Sequence, residues 1–351
     1  MKRLLVIFCL LIAIHTFSQP RWSAQTANDW YSKQPWYCGF NYIPAYAINY
    51  TAMWDKTSFD AAAIDKELAL AENTGMNAAR VVLQYAVYAD DPAYFLKTFD
   101  TFLELCARHK IKAVPALFDD CVFGINSDPK IGKQPEPLKG WYAWAWSPSP
   151  GHSMVVDSTT HLLLGKYVTA VIGKFKTDDR ILFWDLYNEP TNGGLGSATF
   201  PLLKKVIAWA KAVNPKQPLS IGMFDKNARL NDIIISASDI ITFHNYGDKE
   251  ALQQQITDLK KYNRPIICTE WMNRPFKSTV ENNLPVFYNE KVGCMLWGLV
   301  NGKTQTELPW GHRPGDPEPT IWQHDLYHGD FTPYNAKEIA LLKEYIDKSK
   351  Q

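Results

Sequence analysis

A single (β/α)₈ barrel is the fold the sequence predicts, and three observations predict it. Short apolar runs alternate with helix-patterned segments along most of the chain. The runs are near-continuous rather than alternating, as in strands buried on both faces of a parallel sheet. Eight such units follow one another with no linker, low-complexity run or sequence repeat between them. A doubly wound sheet is the rival, but it has no need for eight units. No Gly-rich phosphate loop follows the first strand.

The elements follow in order. "GFNYI" (39–43) is the first strand. "DAAAIDKELALAEN" (60–73) is a helix with Ile64 and Leu68 on one face, closed by Gly75. "NAARVVL" (77–83) is the second strand. The segment 94–110 places Phe95, Phe99, Phe102, Leu103 and Cys106 at helical spacing, and "KAVPALF" (112–118) is the third strand. A long aromatic loop precedes a helix around 162–175 and the fourth strand, "ILFWDLY" (181–187). A helix over 200–213 is stopped by Asn214 and Pro215, and "LSIGM" (219–223) is the fifth strand. "DIITFH" (239–244) is the sixth, a helix spans 249–262, and "PIICTE" (265–270) is the seventh. The segment 284–291 is helical, "VGCMLWGLV" (292–300) is the eighth strand, and an amphipathic helix over 335–348 ends the pattern.

Of 351 residues, 46% are hydrophobic and 13% aromatic, and the formal net charge is +1. This is a globular composition. The charge balance gives no reason to expect nucleic acid or an anionic membrane as partner. The 13 tryptophans suit either stacking on sugar rings or core packing. "MKRLLVIFCLLIAIHTFSQ" reads as a secretory signal: Lys2 and Arg3, a short apolar run, then Thr16 and Ser18 before a cleavage site. The run is too short to span a bilayer comfortably. Residues 1–18 are thus expected to be removed and 19–351 to form one domain, secreted or periplasmic. Five cysteines remain, an odd number, without CxxC spacing and mostly in apolar runs, so no metal or redox motif is implied.

In such barrels the active site lies at the C-terminal strand ends. The polar residues there are Asn41, Arg80, Asp119, Asp120, Asn188, Glu189, His244, Tyr246 and Glu270, with Trp297. "WDLYNEP" (184–190) and "IICTEWM" (266–272) both stop an apolar run at a Glu. Two carboxyl groups across a pocket are what glycoside hydrolysis needs: one donates a proton to the leaving oxygen, the other attacks the anomeric carbon or activates water.

"YNEP" and "TEW", with "RVV" on the second strand, "HNY" on the sixth and "LWG" on the eighth, resemble the motifs of glycoside hydrolase clan A, nearest to family 5. The five come in the family's order and cover nearly the whole mature chain. The resemblance implies Glu189 as general acid/base and Glu270 as nucleophile, with Asn188 bonding the hydroxyl next to the reacting carbon. It implies that Arg80 and Tyr246 hold Glu270 ionised and aligned. His244 would sit near the acid/base or the sugar, and Trp297 would floor the reacting sugar. Plainer readings stand beside these: a structural ion pair for Arg80, a satisfied core histidine for His244, barrel packing for Trp297. Asn41 fits either kind of role.

One feature departs from the family, which commonly carries a His near the end of the third strand; here it ends "LFDD". Alternation sends the two Asp side chains different ways, with Asp119 expected as the sugar contact. Trp141, Trp144 and Trp146 in the loop 139–152, and the loop 310–325, are expected to wall the substrate site. The negative charge of Glu270 is expected to keep Glu189 protonated to higher pH. Together these predict a secreted retaining β-glycoside hydrolase, with Glu189 and Glu270 about 5–5.5 Å apart. No metal or cofactor is expected, and a monomer acting on a mannan-, xylan- or glucan-type carbohydrate is. The alternatives are a carbohydrate-binding barrel without catalysis and a transglycosylase on the same site.

Overall fold

Nine parallel strands line a barrel in the computed structural model, which describes residues 21–351. The expected signal segment, 1–18, lies outside them. The strands are β1 (Cys38–Asn41), β2 (Ala78–Val82), β3 (Lys112–Ala116), β4 (Trp184–Asp185), β5 (Leu219–Ser220), β6 (Gly222–Met223), β7 (Ile241–His244), β8 (Ile266–Trp271) and β9 (Gly293–Trp297). Their lateral order is β5-β4-β3-β2-β1-β9-β8-β7-β6. The nine are the eight predicted ones: the fifth, 219–223, is divided at Ile221. Its first half pairs with β4 and its second with β7, so this one segment closes the ring.

Each strand is followed by an outer helix. The helix Ala61–Thr74 begins where the Asp60 carboxylate accepts the N–H groups of Ala62 and Ala63. It ends at Gly75, whose φ of 89° is the left-handed conformation a glycine adopts without penalty. Asn214, at φ 56°, closes Phe200–Val213 in the same way. Val280–Asn289 starts four residues earlier than expected because Thr279 caps it, and it carries Pro285 inside. Ala228–Ala237 completes the ring of helices after the divided strand. The sequence reading passed over it, although Leu230, Ile234 and Ala237 recur at helical spacing and are buried.

Tyr37, Ala78, Val114, Phe183, Ile240, Ile267 and Met295 fill the lower barrel, and Ala24–Tyr31 closes it through Ala27, Trp30 and Tyr31. With one end packed shut, only the C-terminal strand ends remain to form a cavity. All five remaining cysteines are buried and unpaired.

Candidate active site

A cavity of about 710 Å³ opens at the C-terminal strand ends, and it is built around Arg80. This guanidinium is 2% exposed. Its Nε and Nη2 donate to Asp185 Oδ2 at 2.9 and 2.6 Å. Nη1 donates to Asn41 Oδ1 at 2.8 Å and to Glu270 Oε1 at 2.6 Å. Nη2 also donates to Asn188 Oδ1 at 2.6 Å. All the N–H groups of the fork are thereby used. Burial works against the Arg80 charge, but Asp185 and Glu270 outweigh it and hold the group protonated well above its usual range. Asn41 is a positioning residue rather than a lining one. It is 2% exposed and its Nδ2 donates to Thr269 O at 2.7 Å, tying β1 to β8.

Glu270 reaches the cavity through an irregularity. Ile267 points into the barrel, so strict alternation would turn Thr269 inward and Glu270 outward. Between Cys268 and Trp271, however, β8 advances three residues while β9 advances two, from Cys294 to Leu296. This bulge re-aims the carboxyl into the cavity. There Tyr246 Oη donates to Glu270 Oε2 at 2.7 Å, opposite the Arg80 contact. Burial and the Glu270 charge push the Tyr246 phenol well above its usual range, so it stays a donor.

Glu189 lies across the cavity at φ 41°, a left-handed conformation uncommon for a residue with a side chain and costing about 1–3 kcal/mol. Its surroundings impose it. Asn188 N–H donates to Phe118 O at 2.7 Å, and Thr191 N–H donates to Asp120 Oδ2 at 2.8 Å. Asp120 also accepts from Tyr187 Oη and Thr199 Oγ1, so its role is to clamp the turn that presents Glu189. The Glu189 carboxyl meets His244 Nδ1 at 2.8 Å, Asn192 Nδ2 at 2.5 Å and Cys121 Sγ at 3.2 Å. Burial favours the protonated acid, but the His244 contact and its charge, with the Cys121 and Asn192 bonds, outweigh it and hold Glu189 below the ordinary Glu value. This corrects the expectation that Glu270 keeps Glu189 protonated to higher pH.

Two more expectations are corrected. Asp119 does not line the cavity. It is fully buried, accepting from Asn188 Nδ2 (2.7 Å), Cys121 N–H (3.0 Å) and Trp146 Nε1 (3.0 Å). Burial lifts its carboxyl to about 6, and the bonds it accepts work against a further rise. It therefore orients Asn188 and Trp146 rather than touching a sugar. Trp146 lines the cavity beside Trp297, their rings 5.8 Å apart, whereas Trp141 and Trp144, 6.1 Å from each other, do not line it.

Sequence reasoning missed Asp185, Cys121, Asn192 and an aromatic at the cavity mouth, Phe276, 57% exposed; Trp310, 40% exposed beside it, belongs to the loop 310–325 expected as a wall. Their rings lie 5.8 Å apart, and Trp310 packs edge-on to Tyr246 at 4.9 Å. His324, stacked against Trp297 and lowered to about 3 by burial, is a neutral support for that floor. Glu189, His244 and Glu270 bring donor atoms within 4.8 Å of one another. A cation among them would face the Arg80 charge 2.6 Å from Glu270 Oε1, so the set suits proton transfer better than metal binding.

A Cβ on Gly222 would stand 2.9 Å from His244 Nε2, so the ring depends on that glycine. Gly222→Ala is expected to push His244 off Glu189 and to lower kcat by about 10²-fold, the order expected for a 1 Å misplacement. Steady-state kinetics on the folded variant check this; a wild-type kcat would show that His244 alignment is immaterial.

The sequence profile of the cellulase family, glycosyl hydrolase family 5, matches residues 44–307. A β-glucuronidase from Pongo abelii is 33% identical over 111 residues, which cover 29% of this chain and 17% of that one. The human β-glucuronidase is 32% identical over the same shares. The chain thus spans a minor part of the curated relatives it matches. Among solved structures, an endo-1,4-β-mannanase from Rhizomucor miehei superposes with a TM-score of 0.59 at 13% identity, covering 95% of this chain and 98% of that one. An exo-β-1,4-mannosidase from Opitutaceae bacterium strain TAV5 gives 0.62 at 15% identity, with 89% and 59% covered. At such identities the likeness shows the barrel fold.

Proposed function

The chain belongs to glycosyl hydrolase family 5 and hydrolyses O-glycosyl bonds of a carbohydrate substrate; from that premise we propose that it is a secreted, monomeric, retaining β-glycosidase with Glu270 as nucleophile and Glu189 as acid/base. Its substrate is a neutral β-linked polysaccharide or oligosaccharide of the mannan, xylan or glucan type. Export rests on the apolar N-terminal run of the sequence. Among the described residues no helix is long and apolar enough to cross a membrane.

The observation that carries this reading is the pairing of two differently supported carboxyl groups. An oxygen of Glu189 and an oxygen of Glu270 lie within 4.8 Å. That closeness suits direct attack, whereas the inverting arrangement leaves about 6.5–9.5 Å for a water. Arg80 and Tyr246 hold Glu270 as an aligned anion. Glu270 attacks the anomeric carbon as its bond to the leaving oxygen breaks, and the acid group protonates that oxygen. Water, giving its proton to Glu189, then displaces Glu270 from the sugar. In the free site Glu189 Oε1 and His244 Nδ1 lie 2.8 Å apart, close enough to share the proton this chemistry needs.

A neutral substrate follows from the lining. Arg80, Glu189, Glu270 and Asp248 are its charged side chains besides His244, and Arg80 is fully engaged. Nothing cationic is left for a uronate, and the remaining field is negative. The mannan-acting neighbours put mannan first in a panel with xylan, glucan and galactan, with product analysis deciding endo against exo cleavage.

Glu189→Ala tests the roles. It is expected to lose about 10²–10⁴-fold on glycosides with poor leaving groups and far less on activated aryl glycosides, which need no protonation. Equal losses on both would remove Glu189 from the acid role. Inverted configuration in the first-formed product, read by NMR, would contradict retention.

A further inference from the structure

We propose that Cys121 is a positioning residue for the acid/base: its thiol donates to the Glu189 carboxyl and holds it in the orientation and protonation balance that its two roles require. The inference rests on the assignment of Glu189 given above.

Cys121 stands in the loop after β3, 4% exposed, with its side chain on the cavity wall. The other four cysteines among the described residues are at most 1% exposed and do not line the cavity. Cys121 Sγ is 3.2 Å from Glu189 Oε2. The amide groups of Asn192 and Asn188 point at the same sulfur, at 3.4 and 3.5 Å. Both amides donate to the sulfur, and its own proton faces the carboxylates of Glu189 and Asp119, with the Glu189 oxygen at 3.2 Å. The Cys121 N–H is fixed on Asp119 Oδ1 at 3.0 Å, and the adjacent Asp120 clamps the turn carrying Glu189. Thiol and carboxyl are therefore held on one rigid frame. Burial, with Asp119, Glu189 and Glu270 adding negative charge, pushes the thiol well above its usual range, so it remains a proton donor.

The chemistry explains why a weak donor suits this place. Glu189 must alternate between giving and taking a proton. It already accepts from His244 on β7 and from Asn192. Glu270 on β8 and the Tyr246 phenol face it as well, while Arg80 and Asp119 act on it through Asn188. A strong third donor would fix the carboxylate in its ionised form, while without a third donor Oε2 would be held by Asn192 alone. A thiol orients the oxygen while favouring the ionised form only modestly, by about one pH unit.

The test compares Cys121→Ala and Cys121→Ser with wild type and Glu189→Gln, each shown to be folded by its thermal transition. The pH dependence of kcat/KM is measured on aryl β-glycosides with poor and activated leaving groups. In Cys121→Ala the alkaline limb is expected to move up by about one pH unit, the order for loss of a hydrogen bond to a charged group. Its kcat on the poor leaving group is expected to fall about tenfold, with little change on the activated one, and Cys121→Ser to return toward wild type. In infrared spectra, the S–H band removed by Cys121→Ala should shift with pH in wild type and not in Glu189→Gln. Unmoved pH profiles in both cysteine variants overturn the inference and leave the Glu189 assignment standing. Leaving-group independence in Glu189→Gln overturns that assignment and the inference with it.

Discussion

Glu270→Ala is expected to reduce turnover by roughly 10⁶-fold on every glycoside, activated or not, the order lost when a nucleophile is removed from a covalent mechanism. The loss cannot depend on the leaving group, because the missing step is bond formation to carbon rather than protonation. Truncation leaves the Arg80 and Tyr246 donors aimed at an empty volume. A small carboxylate such as formate fits that volume and those donors. Formate is therefore expected to restore part of the turnover on activated substrates, with inverted configuration at the anomeric carbon of the first product. Residual turnover near wild type, or rescue with retained configuration, would place the nucleophile elsewhere.

The second large effect is on the fold as much as on the reaction. Arg80 joins Asn41 on β1, Asp185 on β4, Glu270 on β8 and Asn188 beyond β4 from a position 2% exposed. Arg80→Met leaves Asp185, fully buried, and Glu270, 5% exposed, without their cation. Breaking a buried pair from one side costs about 3–5 kcal/mol, mostly through the charge left behind. Urea titration should show that loss, and activity should fall with it because four side chains lose their common support. Adding Asp185→Leu should recover part of the stability and none of the activity. A stability loss below about 1 kcal/mol, the scale of an exposed pair, would mean that water reaches Asp185.

Most of the barrel was legible because its strands are apolar runs at regular intervals and its helices carry their caps. Asp60, Gly75 and Asn214 act as their residue types suggest. Glu189 and Glu270 could be found because each ends such a run. What alternation could not give is the direction of Glu270, since a bulge adds the residue that turns it inward. Asp119 was misread for a related reason. What covers it is Trp146, 27 residues further on, and nothing local records that contact. Asp185 carried a signal that went unused: a carboxylate inside a strand buried on both faces requires a cation, and Arg80 is the one beside it. Cys121 carried none, because a buried cysteine reads as a small hydrophobe until its neighbours are known.

The segment 219–223 closes the ring of strands through one change of partner at Ile221. A hoop of unbroken ladders resists any change of girth, since every strand is bonded on both sides. Here β5 bonds to β4 and β6 to β7, and Leu219 O also accepts from Asp239 N–H at 2.8 Å, so main-chain bonds cross the joint. The joint is also where Gly222 lies against the ring of His244. A shift of the wall at this joint would therefore reach the acid/base through Gly222 and His244.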